Sequence, residues 1–438
     1  MSRARPAVAA PAVLPLALLS LAPAELSSYA LAQTCDPTEI FAPQVGYGTG
    51  DMPQGIAMGD LDGDGDADLA VANDSSGDIS VLLNSGDGTF APEVRYDAGN
   101  RPLFVVIGDF DGDGDGDLAV SNSDDDNVGV LLNNGDGTFA TMQTFTAGNR
   151  PIPLAIGDFN RDGNTDIAAA NDFAANVTIL LNNGDGSFAP VFAYAVGIRP
   201  LSLAVGDLDG DGNSDLVTAN FTSDTVSVLF GSGDGRFADD VAYGAGLMPF
   251  GVAIGDLDRD GDADLAVANE QSNDVSVLLN NGDGTFAPDV VYGAGARPTS
   301  VAIGDLDGDG DPDLAVTNDF SGDLSVLLNN GDGAFAPEVR YDAGVRPLSV
   351  VIGDVDASGG LDLAVTNFES NNVSVLLNQC DAFACRADLD GDGTLTIFDF
   401  LAFQNLFDAG DPLADFDGDG DFTIFDFLAF QNAFDAGC

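Results

Sequence analysis

Short apolar runs separated by stretches rich in Asp, Gly and Asn fill most of the chain, and the pattern recurs. Residues 286–334 show one unit in full. FAPDVVYGAG contains a short alternating stretch, TSVAI, DLAVTN and LSVLLN are further apolar runs, and Asp-Gly-rich turns separate all four. Short apolar or alternating runs bounded by turn residues predict β-strands. Phe41, Phe90, Phe139, Phe188, Phe237, Phe286 and Phe335 mark seven copies spaced 49 residues apart, ending near 383. Four short antiparallel strands in a period of this length predict one propeller blade per repeat.

The ends of the array predict a ring. The chain opens with FAPQVGY at 41, while the last unit stops after VSVLLNQC with no strand of that kind to follow. The N-terminal strand is expected to complete the last blade, which hides a sheet edge that would otherwise invite aggregation. Residues 33–384 thus read as an all-β, seven-bladed propeller.

Composition narrows the partners. The chain has 438 residues, a formal charge of -59 and 45% hydrophobic residues, so it can build a large core and is not an acidic disordered tail. All 13 basic residues are Arg, and there is no His, Lys or Trp. Such a charge repels nucleic acid and anionic membranes and favours cations. The first 32 residues read as an export signal: Arg3 and Arg5 form a basic head, an apolar stretch runs from about Val8 to Ala22, and Ala30-Leu31-Ala32 is a cleavage site. The alternative is an N-terminal anchor, which Pro11 and Pro15 disfavour; no other segment could span a bilayer. The protein is expected to be secreted or attached at the cell surface. Cys35, Cys380, Cys385 and Cys438, an even number in an exported chain, suggest two disulfides. Cys35–Cys380 would lock the ring, and Cys380–Cys385 is the alternative.

The acids sit at fixed spacings. GDLDGDGDADLAV at 59 returns with small changes at 108, 157, 206, 255 and 304, and GDVDASGGLDLAV at 353 is a worn copy. The carboxylates of the first loop are Asp60, Asp62, Asp64 and Asp68. Calcium takes several oxygens at flexible distances, alternate residues of a tight loop point inward, and Gly65 permits the sharp turn. Equivalent sets are Asp109, Asp111, Asp113, Asp117; Asp158, Asn160, Asp162, Asp166; Asp207, Asp209, Asp211, Asp215; Asp256, Asp258, Asp260, Asp264; and Asp305, Asp307, Asp309, Asp313. The last loop keeps Asp354, Asp356 and Asp362 but has Ser358 in place of the third acid. The plain alternative is a set of turn-forming Asp and Gly with no metal. GDLDGDGDADLAV followed by NNGDGTF resembles the FG-GAP/VCBS repeat, the blade of integrin alpha-chain propellers and many bacterial surface proteins. The resemblance implies about six Ca2+ sites in the propeller. The NNGDGTF turns read as hairpin turns.

After Cys385 the period changes to 27 residues: ADLDGDGTLTIFDFLAFQNLFDAG at 387 is followed by ADFDGDGDFTIFDFLAFQNAFDAG at 414. Each copy is a 12-position loop running into a helix-like segment, near 397–407 and 424–434. The candidate ligands are Asp388, Asp390, Asp392 and Asp399, then Asp415, Asp417, Asp419 and Asp426. Residues 385–438 resemble a dockerin, whose loops carry Asp at the twelfth position. That implies two more Ca2+ sites and a cohesin-like or surface-sorting partner, although Gln404-Asn405 and Gln431-Asn432 replace the basic pair common in that family. Cys438 reads either as an attachment point or as half of a clasp with Cys385. The helices are apolar enough to expose aromatics, and Phe398, Phe403, Phe425 and Phe430 are candidates for a partner face; the alternative is that they pack between the two halves.

Arg101, Arg150, Arg199, Arg297 and Arg346 each precede Pro, and Phe173, Phe221, Phe320 and Phe368 lie in neighbouring loops; the resemblance, in which the calcium loops occupy one face of the propeller, implies that these turns open on the other. An arginine ring could hold a uronate or sulfate and the phenylalanines could stack on sugar or apolar side chains. The alternative is that each Arg pairs with an Asp of the adjacent blade. Without His or Lys the commonest general bases are missing. The chain therefore reads as an exported calcium-binding propeller, an adhesion or ligand-binding module for an extracellular protein or polysaccharide, attached by its tail. A surface-displayed polysaccharide lyase or hydrolase is the alternative, and a scaffold component without a specific ligand a third.

Overall fold

The computed structural model describes residues 37–380 and 397–409, with single positions at 414, 427 and 430. The chain divides into two compact units, one spanning 35–384 and the other made of 1–34 with 385–438. The larger unit is a propeller of seven four-stranded antiparallel sheets. Its first complete blade contains β2 (Pro53–Gly59), β3 (Asp68–Asn73), β4 (Asp78–Leu82) and β5 (Val94–Asp97), in that order from the axis outward. Each of the next five sheets repeats this order 49 residues further on, as comparison of Pro53 with Pro102 at the start of the first two shows.

Burial explains the strand patterns. All six residues of β3 are buried, DLAVAN, because both faces of this middle strand meet neighbouring blades. The outer β5 is almost wholly exposed apart from Tyr96. Each interface between blades has its own apolar cluster; Leu61, Ala70, Ile79, Val81, Val105, Leu118 and Val120 fill one of them. The repeated tyrosines seal the periphery: Tyr96 stands edge-on to Phe139 of the next turn at 5.1 Å, and its hydroxyl donates to Gly137 O at 3.1 Å.

The ring closes through the N-terminus. β1 (Val45–Gly48) pairs with β28 (Asn372–Leu376), which continues through β27 (Asp362–Asn367) to β26 (Pro347–Gly353). The register sets Val45 against Val375 and Tyr47 against Val373, and a bridge joins Phe41 to Asn378. The first strand therefore completes the last sheet, as the spare strand at 41 implies. Cys380 is buried beside this closure.

In the second unit, α1 spans Ile397–Ala409. Phe403 and Phe430 are 2% and 1% exposed and stack on each other with ring centroids 4.3 Å apart. This corrects the expectation that they form a partner face: in so small an apolar module, stacking removes both rings from water at once. Phe398 and Asp399 fall on α1. Residues 1–32, Cys35, Cys385, Cys438, Phe425, Asp388, Asp390, Asp392, Asp415, Asp417, Asp419 and Asp426 lie outside the described residues. Among the described residues, no helix is long and apolar enough to cross a membrane.

Candidate cation loops and the opposite face

The connection from β2 to β3 is the acidic loop, and its equivalents gather at one end of the propeller because every blade runs in the same direction. Glycines at left-handed φ, +78° at Gly63 and +96° at Gly65, let the chain coil tightly enough to converge its carboxylates. One oxygen each of Asp60, Asp62 and Asp68 lies within 4.8 Å of the others, and the same holds for Asp109, Asp111 and Asp117, for Asp207, Asp209 and Asp215, and for Asp305, Asp307 and Asp313. In the loop at 256, the convergent trio is Asp256, Asp258 and Asp260. The third acids Asp64 and Asp113 are turned to the loop backbone, where Asp64 Oδ1 accepts from Asp66 N at 3.0 Å and Asp113 Oδ1 from Asp115 N at 3.0 Å. Asp211 and Asp309 do the same toward residues 213 and 311. In the loop at 158, Asp162 N donates to both Asp158 Oδ1 and Asn160 Oδ1, and Asp166 is buried beneath them.

The ninth position does more than its spacing reveals. Asp68 is fully buried; its Oδ2 accepts from Leu61 N at 2.8 Å and its Oδ1 from Asn84 N at 2.7 Å. Burial pushes its carboxyl up to about 6 in spite of those two amides. Asp117, Asp166, Asp215 and Asp264 are raised to about 6 by the same cause, and Asp313 to about 8. Burial and then the charge of Asp64 raise Asp62 as well. Several carboxylates held this close repel one another, and a divalent cation among them removes that cost. The donor set fits such an ion: all oxygen, several charges, in a loop with room for carbonyl ligands. Asp256 Oδ1 is buried without a hydrogen-bond partner, an oxygen turned into the loop and left for another ligand. A bound ion would supply charge neutralisation and a cross-link between β2-type and β3-type strands.

The arginine ring at the opposite end is present but already neutralised, which corrects its reading as a free anion site. Arg150 and Arg199 converge from two blades on the buried Asp172, at 3.0 and 3.1 Å. Arg297 and Arg346 converge on Asp319, at 3.6 and 2.7 Å, and Arg297 also pairs with Glu270. Arg101 bridges Asp74 at 3.1 Å and Asp124 at 3.4 Å. Met52 and Met248 take the equivalent position in the remaining blades. The guanidinium groups of Arg150, Arg199 and Arg346 also lie over the rings of Phe173, Phe221 and Phe368, at 4.6, 4.9 and 4.7 Å. Phe221 further packs edge-on against Phe250. Phe173 and Phe320 nevertheless remain 66% and 76% exposed. Ile198, Leu247 and Val345, each one residue before the arginine or methionine, are exposed beside them. The sequence carries a signal for this apolar rim, since a large apolar residue precedes Arg or Met in three of the copies.

Residues 60–120, 109–169, 158–218, 207–267, 256–316 and 305–365 each match the FG-GAP-like repeat. Among solved structures, the chain is similar to BBS1N in complex with ARL6DN (TM-score 0.56, 12% identity, covering 77% of this chain and 97% of that one). It is also similar to virginiamycin B lyase from Staphylococcus aureus (0.55, 13%, 77% and 99%) and to a putative 6-phosphogluconolactonase from Bacteroides fragilis (0.52, 15%, 67% and 85%). At these identities the likeness is one of fold. No curated protein matches the chain in sequence.

Proposed function

The chain belongs to the FG-GAP-like repeat family, and from that premise we propose that it is an exported propeller braced by calcium in its acidic loops, serving as a ligand-binding or adhesion module. The observation that carries the calcium reading is the convergence of three carboxylates in loop after loop, with Asp256 Oδ1 buried and unpartnered. Calcium is favoured over magnesium because magnesium retains more water and takes fewer carboxylates. Cys35–Cys380 would lock the closed ring, supported by the burial of Cys380 next to the β1–β28 pairing. The C-terminal residues 385–438 would be the attachment module, with two further calcium loops.

The ligand face is the arginine end. Its cations are paired, so an acidic glycan is not the expected ligand; the exposed Phe173, Phe320, Ile198, Leu247 and Val345 suit an apolar surface of an extracellular protein partner. The reading is non-catalytic: the chain has no His or Lys, and its closest-set carboxylates have a cation role. The test is adsorption of the full chain to arrays of extracellular proteins and polysaccharides, with calcium and with chelator, beside a Phe173→Ser/Phe320→Ser variant. Calcium-dependent binding to protein that the double substitution abolishes supports the proposal. Release of new sugar ends from any polysaccharide would replace it with the enzyme reading.

A further inference from the structure

All but one of the acidic loops are tied to the next blade by an asparagine side chain. Asn133 Nδ2 donates to Leu61 O, in the preceding blade's loop, at 2.8 Å, and to Gly116 O of its own loop at 2.9 Å. The Asn133 N–H donates to Asp117 Oδ1 at 2.7 Å, and Asp117 Oδ2 accepts from Phe110 N. Phe110 O then accepts from Asn182 Nδ2 of the following blade at 2.8 Å. The same link runs from Asn280 to Leu208, Asn329 to Leu257, Asn378 to Leu306 and, across the ring closure, Asn84 to Val355. Hydrogen bonds thus pass from loop to loop through the buried ninth-position carboxylates.

The belt is interrupted once, where residue 231 is glycine. Gly231 N still donates to Asp215 Oδ1 at 2.7 Å, but glycine has no side chain to reach back to Phe159 O, which keeps the backbone bond from Gly235 N at 2.8 Å that Phe110 O and Val355 O also accept, from Gly186 N and Gly88 N, beside their asparagine links. Another bond crosses the same junction from the other side: Arg161 Nη2 donates to Gly212 O at 2.6 Å. Arg161 holds φ at +58°, a conformation that the equivalent Gly63, Gly112, Gly210 and Gly308 adopt without cost. Arg259, at +60°, likewise reaches Asp311 of the next loop at 2.7 Å, but there the Asn329 link is intact.

We infer that this belt couples the acidic loops into one mechanical unit, and that Arg161 splices it at the junction where Gly231 breaks it. As a coupling between ion sites, the inference rests on the calcium reading proposed above: an ion fixing Asp117 also fixes Asn133, and through it Leu61 of the preceding loop. Arg161 and Arg259 act here as positioning residues. Hydrogen exchange on the full chain, in calcium and in chelator, compares wild type with Arg161→Gly and Arg259→Gly. Glycine accepts either backbone, so both changes relieve the same strain and differ in the link they remove. The expected result is faster exchange across 207–215 and 231–237 in Arg161→Gly, by about tenfold, the effect of losing a charge-assisted hydrogen bond. Arg259→Gly is expected to leave 305–313 at the wild-type rate. Equal effects of the two changes, or none from Arg161→Gly, overturn the splice. Failure of calcium to slow exchange in any wild-type loop rejects the calcium reading instead, while the contrast between the two variants in chelator still decides the belt.

Discussion

At the scale of single residues, Asp68 and its equivalents hold two jobs that conflict without a cation. They cap buried amides, and they place charge where burial disfavours it, so their carboxyls stand above the ordinary 3.8, at about 6. A raised folded-state value means the stability these groups contribute is fully present below about pH 3.8 and is lost as pH rises through about 6, or through about 8 for Asp313. Metal-free protein is therefore expected to melt at progressively lower temperature from pH 4 to pH 7, and added calcium to restore the melt at pH 7 but not at pH 4.5; a pH-titrated set of thermal scans checks both. Asn133→Ala leaves Leu61 O and Gly116 O without their donor, and should cost about 1–3 kcal/mol in chemical denaturation. The loop acids were legible in the sequence because their spacing is local. The asparagine was not, since Asn133 and Leu61 are 72 residues apart in the chain, and neither was the pairing of Arg150 and Arg199 on Asp172, which the sequence left as one of two alternatives.

At the scale of elements, the strands read easily because each has an unambiguous environment. DLAVAN is apolar throughout because its strand is sandwiched, and the turn residues on either side leave no room for a helix. The outer strands are harder, for VRYD buries little; the recurring tyrosine, packed on the next repeat's phenylalanine, is what marks them. Closure was legible from an imbalance of strands between the ends. Removing residues 1–48 takes away β1 and bares the edge of β28, so the shortened chain is expected to associate through that edge, seen as a concentration-dependent rise in light scattering absent from the full chain. In the C-terminal unit, apolar content alone could not separate buried from exposed rings; the stacking of Phe403 on Phe430 decides it for those two.

At the scale of the whole molecule, the chain carries a formal charge of -59, and the fold draws one set of its carboxylates, those of the acidic loops, together at one end of the propeller. Such a molecule is held closed by apolar interfaces and opened by its own charge. Cations bound only by the folded state stabilise it by mass action, and several sites add their contributions. The most direct test is thermal unfolding of the full chain at pH 7, once with millimolar calcium and once with excess chelator, at matched ionic strength. The melting temperature is expected to be higher in calcium by about ten degrees or more, the sum of several occupied sites. Coincident melts in the two conditions would contradict it.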